Sequence, residues 1–197
     1  RDIVDVMDPS VGPHWLDLGC GSGRITEEIW KIRRTQGKHV RITGLDCSAE
    51  AGRIYLEFAR QLQPWPQHGE IEFMKGDISC HLPLPNSEYD GVVASLVLSY
   101  AEHWDPFKQA WTQKAYRGAL QEACRILRPN GQFIATVNVP DPDFFRIARE
   151  SWREYLTCRG PRLIKNASRM LAFGRWLKEC ASVGRYHYLP AEEVAAF

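Results

Sequence analysis

The 197-residue sequence predicts an α/β fold in which a doubly wound, mostly parallel sheet carries helices on both faces. Three observations support this prediction. Short apolar runs alternate with longer amphipathic stretches, as in successive βαβ units. The run Tyr89–Leu96 is apolar at consecutive positions, which is typical of a central parallel strand buried on both faces. A glycine-rich turn follows the first apolar run, at the point where such sheets bind ligands.

The first half of the predicted sheet contains two strands and two helices. The strands are His14–Leu18, which leads into the glycine turn, and Val40–Leu45. The helices are Arg24–Arg34 and Glu50–Leu62, the second ended by the prolines that follow it. The side chains predicted to face inward from these helices are Ile25, Ile29 and either Ile32 or Trp30, and then Ile54, Phe58 and Leu62.

The second half adds three strands and one helix. The predicted elements are, in order, strand Ile71–Met74, the two-proline loop Leu82–Asn86, strand Tyr89–Leu96, helix Ala115–Leu127, the turn Arg128–Gly131 and strand Gln132–Val139.

After Pro140 the pattern becomes helical. One predicted helix carries Phe145, Ala148, Trp152 and Tyr155 on one face, and a second carries Leu163 or Ile164, Ala167, Leu171 and Leu177. Pro190–Phe197 indicates the start of a further helix. We therefore predict a single domain, 1–197, made of a core (1–140), a helical lid after the fifth strand (141–189) and the beginning of a C-terminal part (190–197).

The charge of the chain is low overall but unevenly distributed. The formal net charge of +1 gives no indication of a nucleic-acid partner, which a strongly basic surface would favour. Residues 141–189, however, carry ten basic and five acidic side chains. This basic stretch is either a solvated helical face or a lid over an anionic substrate or partner.

The six cysteines are scattered, without a Cys-x-x-Cys pair. This pattern indicates neither a disulfide framework nor a zinc site, and we expect no metal. Reduced thiols favour a cytoplasmic protein. No apolar run approaches the roughly 20 residues that span a bilayer, and the start of the chain has no signal-peptide pattern, so we expect no membrane partner. The sequence gives no indication of the oligomeric state.

The turn Gly19-Cys20-Gly21-Ser22-Gly23 is the strongest functional signal. Glycines permit positive φ angles and let a ligand approach the backbone, and the free amides of the following helix point into the same crevice. The spacing is Gly-x-Gly-x-Gly, whereas the dinucleotide fingerprint is Gly-x-Gly-x-x-Gly. The turn therefore favours a ligand that lacks a pyrophosphate.

Two carboxylates follow the next two predicted strands. Asp46 lies 23 residues beyond Gly23 and is placed to accept hydrogen bonds from a ribose diol, although it could instead cap the next helix. Because Ser48 can serve as that cap, we favour the ribose role. Asp77 either accepts a hydrogen bond from an exocyclic amine such as that of adenine, or forms a turn.

These motifs together resemble the class I S-adenosylmethionine-dependent methyltransferases, in particular the small-molecule group of the methyltransferase type 11/25-like kind. The matching blocks, over about residues 14–139, are Leu16–Gly23, Gly44–Ser48, Gly76–Ile78, Tyr89–Ser95 and Arg125–Gln132. The resemblance implies a Rossmann-like sheet of seven strands, usually with a final antiparallel pair. Since only five strands are predicted here, the C-terminal strands are missing, and we expect the natural protein to continue beyond Phe197 or to cover the open edge with a partner.

The resemblance also implies roles for individual residues toward S-adenosylmethionine. Gly19, Gly21 and Gly23 would contact its methionine part, and Asp17 would orient the turn. Cys20 would lie beside the cofactor as a small side chain and not act as a nucleophile. The other residues that it places at the cofactor are Asp46 at the ribose, Cys47 and the Gly76-Asp77-Ile78 block at the adenine, and Ser95 and Leu96 at the methionine end.

The acceptor site is expected beside the segment that follows the fourth strand. His103 is the candidate general base because its ordinary pKa is near neutrality, although a structural histidine is the competing interpretation. Tyr100 and Trp104 could shape an apolar acceptor pocket or pack beneath the lid. From the basic stretch, Arg146, Arg149 and Arg153 are candidates to contact an acidic acceptor.

The predicted function is methyl transfer to oxygen, nitrogen or carbon of a small molecule. The Asn/Asp-Pro-Pro-Tyr/Phe motif of amino-directed enzymes and the Pro-Cys pair of cytosine-5 enzymes are both missing from the sequence. Three alternatives remain open: a nicotinamide oxidoreductase on the same fold, a non-catalytic methyltransferase-like partner subunit, and an RNA-modifying enzyme.

Overall fold

Five strands form the central sheet of the computed structural model, which describes residues 3–8, 10–62, 69–137 and 162–196, without the side chains of Val4 and of 162–171. The strands are β1 His14–Leu18, β2 Val40–Asp46, β3 Gly69–Lys75, β4 Tyr89–Ser95 and β7 Leu127–Thr136. Their order is β3-β2-β1-β4-β7, and every neighbouring pair is parallel. The predicted α/β class and parallel sheet are confirmed. Parallel order places the carboxyl ends of β1, β2 and β4 side by side.

Six helices and one hairpin complete the described part of the chain. The helices are α1 Ile3–Val6, α2 Arg24–Thr35, α3 Ala49–Leu62, α4 Lys114–Ile126, α5 Arg162–Ser182 and α6 Ala191–Ala195. The hairpin pairs β5 Trp104–Asp105 with β6 Ala110–Trp111 in antiparallel register, and a single 3₁₀ turn spans Leu98–Tyr100.

Helices cover both faces of the sheet, as the doubly wound prediction requires. On one face Leu16 and Leu18 of β1 pack in a cluster with the inner side of α4. On the other face Trp15 packs in a cluster that includes residues of α2 and α3. Because side chains alternate along a strand, residues that follow one another in β1 enter different cores. Each fully buried large side chain contributes roughly 1.5–3 kcal/mol through burial.

Glycines in the sheet make room for aromatic rings. A Cβ atom added to Gly44 would overlap the ring of Tyr55 on α3, and one added to Gly91 would overlap Trp15. Tyr55 and Trp15 are both fully buried. The hydroxyl of Tyr55 lies 3.0 Å from Oγ1 of Thr26, so this ring also contacts the helix that follows the glycine turn.

The inner face of α3 differs from the prediction. Gly52, Tyr55 and Ala59 are buried, whereas Ile54 is 38% exposed and was wrongly assigned to the core. The aliphatic repeat at Ile54 misled the assignment because Tyr55 fills the space left by a glycine of β2. On α2, Ile29 and Trp30 are buried as predicted, and the other buried positions are polar, Thr26 and Arg33.

The last strand of the sheet begins earlier than predicted. Pairing with β4 starts at Leu127 opposite Tyr89 and resumes at Gln132 opposite Gly91, so residues 128–131 form a bulge within β7. Asn130 takes the left-handed conformation there, with φ of 65°, which asparagine tolerates better than most residues. The short hairpin and α1 were not predicted.

The C-terminal elements pack against the α4 side of the sheet. Leu189 belongs to the core cluster that contains α4, and Val194 of α6 packs against that cluster. Helix α5 occupies the region of the second predicted lid helix, whereas the first, with Phe145, Ala148, Trp152 and Tyr155, lies outside the described residues. No helix in the described ranges combines the length and the apolar character that crossing a bilayer requires.

Candidate functional site

The glycine turn lies between the ends of β1 and β2. The φ angles of Gly19, Gly21 and Gly23 are 74°, 49° and 89°, all in the left-handed region that favours glycine. The amides of Gly19 and Cys20 both donate to the carbonyl oxygen of Leu45, at 2.7 and 3.0 Å. The turn is therefore folded back on the end of β2 and held by main-chain hydrogen bonds.

Asp17 fixes the turn from inside the protein. Its carboxylate Oδ2 accepts hydrogen bonds from the amide of Thr26 at 3.1 Å and from the Thr26 hydroxyl at 2.7 Å. The side chain is 1% exposed, and burial raises its pKa to about 6, with a further contribution from the charge of Asp46. Asp17 is thus an ionised buried group at neutral pH, and its hydrogen bonds join the first turn of α2 to β1.

Asp46 stands at the carboxyl end of β2. Its Oδ2 accepts a hydrogen bond from the amide of Gly21 at 3.0 Å, and its Oδ1 accepts one from the amide of Ser48 at 2.8 Å. Ser48 Oγ accepts from the amide of Ala51, so Ser48 caps α3 as predicted. Asp46 also has backbone partners of its own, because its carboxylate bridges the glycine turn and the start of α3. A carboxylate accepts about four hydrogen bonds in all, so capacity for a ribose diol remains.

The shape and the charge of this turn both fit S-adenosylmethionine. A Cβ atom added to Gly21 would meet no described atom within 4 Å, so the backbone there faces open space. The two carboxylates make the local field negative, and each raises the pKa of the Cys20 thiol, after burial as the main cause. Such a field favours a ligand with a sulfonium and an ammonium group and disfavours a pyrophosphate.

The two cysteines assigned to the cofactor site differ in burial. Cys20 is 6% exposed, and burial holds the pKa of its thiol far above the ordinary value. A neutral thiol is a poor nucleophile, which supports the interpretation of Cys20 as a small neighbouring side chain. Cys47 is exposed, and the pKa of its thiol is raised first by partial burial and then by the charges of Asp46 and Asp77.

The Gly76-Asp77-Ile78 block lies beside the end of β2. The amide of Gly76 donates to the carbonyl oxygen of Asp46 at 3.1 Å. Oδ1 of Asp77 accepts from the amide of Ser79 at 2.8 Å, which is a turn-forming interaction, while Ile78 is buried in the core. Asp77 therefore forms a turn, and its exposed carboxylate can still accept a hydrogen bond from an amine.

The end of β4 touches the glycine turn. Ser95 Oγ lies 3.1 Å from Thr136 Oγ1, and the Leu96 amide lies 3.0 Å from both Oγ1 and the carbonyl oxygen of Thr136. Leu96 has φ of 55° and is 48% exposed. The Val97 side chain fills the place that a Cβ atom of Gly19 would occupy. The segment after β4 therefore packs directly on the turn.

His103 lies in a groove beside α4. Its Nδ1 atom is 2.7 Å from Thr112 Oγ1. The groove has a volume of about 350 Å³ and is lined by Ser79, Cys80, His81, His103, Lys114, Ala115, Gly118, Gln121 and Glu122. Apart from His103, which directly precedes β5, these lining residues come from the loop after β3 and from α4, and none belongs to the glycine turn. The role of His103 as a general base stays a prediction.

Tyr100 and Trp104 join a set of aromatic contacts that sequence reasoning did not find. Tyr100 packs edge-on against Tyr186, with ring centroids 5.1 Å apart, and Trp104 packs edge-on against Trp111 at 5.2 Å. Tyr186 lies far from Tyr100 in the sequence, and only the tertiary fold brings the two together, whereas Trp104 and Trp111 face each other across the short hairpin. Arg146 and Arg149 lie outside the described residues, as does Arg153.

The described ranges contain no group of three or more histidine, cysteine or acidic side chains that could hold a metal ion. In the groove, the Nδ1 atom of His81 pairs with Glu122 Oε2 at 3.0 Å. Glu122 is already bound by Arg125 at 2.7 Å, which is the main reason that its pKa is lowered to about 2. The His81–Glu122 pair therefore links the loop after β3 to α4.

Known proteins resemble this chain in sequence and in fold. A family model described as a methyltransferase domain matches residues 16–135. An O-methyltransferase of Pyrenophora dematioidea is 28% identical over 159 residues, which cover 78% of this chain and 50% of that protein. The O-methyltransferase cnsE of Penicillium expansum is 26% identical over 153 residues, covering 76% and 48%.

The fold comparison agrees with the sequence comparison. The crystal structure of a SAM-dependent methyltransferase from Methanosarcina mazei matches with a TM-score of 0.53 and 22% identity, over 75% of this chain and 65% of that one. The chain spans about half the length of the two O-methyltransferases that it matches.

Proposed function

Because this chain belongs to the methyltransferase domain family, we propose that it transfers the methyl group of S-adenosylmethionine to a small-molecule acceptor. Membership of the family confirms the predicted fold, and it confirms S-adenosylmethionine as the cofactor. The methyl acceptor and the accepting atom belong to the proposal. The two relatives named O-methyltransferase favour oxygen over nitrogen or carbon.

In this proposal the cofactor lies against the open backbone at Gly21. The glycine turn contacts the methionine part of the cofactor. Asp46 accepts hydrogen bonds from the ribose hydroxyls, and Asp77 accepts one from the adenine amine. Cys47 and Ile78 border the adenine, and Ser95 and Leu96 border the methionine end. The negative field of Asp17 and Asp46 holds the positive charge of the ligand.

The bound sulfonium supplies an electrophilic methyl carbon, so the chemistry left to the protein is mainly positioning. Holding two reactants in line can contribute about 7–11 kcal/mol to lowering the barrier. Val97 and Leu96 bring the segment after β4 onto the glycine turn, and this segment carries the candidate acceptor residues Tyr100 and Trp104. His103 takes a proton where the acceptor has to lose one near neutral pH.

The single observation that carries the proposal is the open, negatively charged space at Gly21. A dinucleotide would bring a pyrophosphate to this turn, where the two carboxylates would repel it. The crevice thus supports an adenosyl sulfonium ligand over the nicotinamide cofactors of an oxidoreductase.

The decisive experiment is a calorimetric titration of the 197-residue chain with S-adenosylmethionine, S-adenosylhomocysteine and NADH. We expect heat from both adenosyl ligands and none from NADH. Asp46→Asn keeps one acceptor oxygen and should weaken the adenosyl ligands. Asp8→Asn serves as the matched control, because the Asp8 carboxylate accepts hydrogen bonds from Ser10 and not from the turn. Binding of NADH alone would overturn the proposal.

The remaining predictions concern the surroundings of the enzyme. We propose a small-molecule acceptor, no nucleic-acid partner and a cytoplasmic location. An acidic acceptor contacted by Arg146, Arg149 and Arg153 is tested by replacing all three with glutamine, and an unchanged Michaelis constant for the acceptor would exclude that contact. Cofactor binding without turnover on a broad acceptor panel would favour a non-catalytic partner subunit.

A further inference from the structure

A connected row of aromatic rings lies beside the segment that follows β4. Its members, which we call the aromatic row, are Phe173, Trp176, Tyr186, Tyr100, Trp111 and Trp104. Centroid separations are 5.6 Å for Phe173–Trp176 and for Trp176–Tyr186, 5.1 Å for Tyr186–Tyr100, and 5.2 Å for Trp111–Trp104. All are within the range at which aromatic pairs attract one another.

Arg185 joins the two parts of the aromatic row. Its guanidinium carbon lies 5.4 Å from the ring centroid of Trp111 and 5.6 Å from that of Tyr186. Its Nε atom lies 3.0 Å from Glu102 Oε2, an ion pair that raises the pKa of Arg185 further, so this side chain is a permanent cation. The Arg185–Glu102 ion pair therefore stands in the middle of the row, with the guanidinium against the rings of Trp111 and Tyr186.

The row is buried at its centre and exposed at its ends. Tyr186 is 6% exposed, whereas Phe173 is 51% and Trp104 is 47% exposed. Rings that only fill a core are buried throughout, whereas Phe173 and the neighbouring Trp176, which is 39% exposed, form an exposed apolar patch of the kind that marks binding sites. Small-molecule sites are lined mainly by apolar and aromatic side chains with a few polar groups, which is the composition of this surface.

The position of the row connects it to the cofactor crevice. Tyr100 follows Val97 by three residues, and the Val97 side chain packs against Gly19. The crevice is negative at Asp17 and Asp46, whereas the guanidinium of the row is paired with Glu102. A cationic methyl donor would thus be drawn to the crevice, and the guanidinium of Arg185 offers hydrogen bonds to an acceptor oxygen.

We propose that the aromatic row is the acceptor subsite and that it selects planar aromatic acceptors with a phenolic hydroxyl, an inference that rests on the proposed function and specifies its substrate class. The ring of the acceptor stacks on the exposed members of the row, and its oxygen lies toward Arg185. In the transfer, the phenolic oxygen forms a bond to the methyl carbon as the carbon–sulfur bond breaks. The electron pair of that bond returns to sulfur, and the phenolic proton passes to the base, for which His103 is the candidate.

The test compares two probes of matched size, para-ethylphenol and 4-ethylcyclohexanol, by calorimetry with and without saturating S-adenosylhomocysteine. Ring-to-ring contacts predict that the phenol binds about threefold to tenfold more tightly than its saturated counterpart. Either Phe173→Leu or Trp104→Leu, at the end of the row on which the probe stacks, should remove most of this preference. Phe107→Leu is the matched control, because Phe107 is 99% exposed at the hairpin and lies outside the row.

Arg185 provides an independent arm of the test. Arg185→Gln should weaken ionised para-nitrophenol more than neutral para-ethylphenol, and Arg185→Lys should restore part of the loss because it restores the charge. Thermal unfolding of every variant separates lost binding from lost folding.

Equal affinity for the two probes, or an equal loss of the preference in the Phe107→Leu control, would overturn the inference. If S-adenosylhomocysteine still gave heat in that case, the proposed function would not be contradicted. Absence of that heat would overturn the proposed function, and the probe preference measured without the cofactor product would still decide the inference.

Discussion

The glycine turn and the aromatic row adjoin the same segment after β4, yet they are built in opposite ways. The turn is made of backbone from adjacent residues, with Asp17 and Asp46 bonded to its amides and to those of neighbouring residues. The row is made of side chains from two parts of the chain more than 60 residues apart. The first is rigid and local, and the second depends on how the C-terminal elements dock.

This difference corresponds to two kinds of recognition. A cofactor shared by many enzymes can be held by main-chain geometry, which tolerates few changes in sequence. An acceptor that differs between enzymes is better recognised by side chains, which can be exchanged without rebuilding the sheet. The following experiments would break or sharpen this contrast, beginning with the largest expected effect.

Gly19→Ala should be the most damaging single substitution in the turn. The residue has positive φ, and the added methyl group would overlap Val97. Strain and overpacking together should lower the free energy of unfolding by roughly 2–5 kcal/mol, measured by urea denaturation. A loss below about 1 kcal/mol would mean that the segment after β4 moves away readily, and the turn would be less rigid than described.

Asp17 should make stability depend on pH. Its native pKa is about 6, against 3.8 for an exposed aspartate, so the native state binds the proton more tightly than the unfolded state. The free energy of unfolding should therefore fall by about 3 kcal/mol as the pH rises from below 3.8 to above 6. Asp17→Asn should lack this dependence, and parallel pH profiles of the two proteins would contradict the assignment.

Gly21→Ala and Gly37→Ala form a matched pair. Both glycines have positive φ and nothing within 4 Å of an added Cβ atom, so each substitution should cost about 1–2 kcal/mol of stability. Only Gly21→Ala should also weaken S-adenosylhomocysteine, by at least about tenfold, because the methyl group enters the space of the ligand. Equal binding by the two variants would place the ligand elsewhere.

The Glu102–Arg185 ion pair should contribute least. Its two side chains are 28% and 38% exposed, so a double-mutant cycle with Glu102→Gln and Arg185→Gln should give a coupling of about 0.2–1 kcal/mol that declines with added salt. A much larger coupling that salt does not reduce would show the aromatic row to be a rigid part of the core, which would weaken the contrast with the turn.

The five strands and the glycine turn were open to sequence reasoning because their signals are local. Apolar periodicity located all five strands of the sheet, and the glycine spacing together with Asp46 located the crevice. The prediction from sequence is less accurate where tertiary packing overrides periodicity. Ile54 has the spacing of a core residue, but the space beneath α3 is taken by Tyr55 because β2 carries Gly44 there.

The aromatic row was beyond sequence reasoning for a different reason. Tyr100 and Trp104 were recognised as acceptor candidates by their place after the fourth strand. Nothing in the spacing of Trp176 or Tyr186 relates them to that strand, because their contacts depend on how α5 ends beside the hairpin. The hairpin itself has two residues in each strand, too few for a periodic pattern to be visible.

The pairing of Gly44 with Tyr55 carries a consequence for variation among related domains. The Tyr55 hydroxyl contacts Thr26, and Thr26 donates to Asp17, so a buried ring on one side of the sheet helps to orient the carboxylate at the crevice. A side chain larger than hydrogen at position 44 would displace the ring and disturb ligand affinity without any contact to the ligand. Positions 44 and 55 should therefore change in concert during evolution, and a lone change at either should be recoverable by a compensating one.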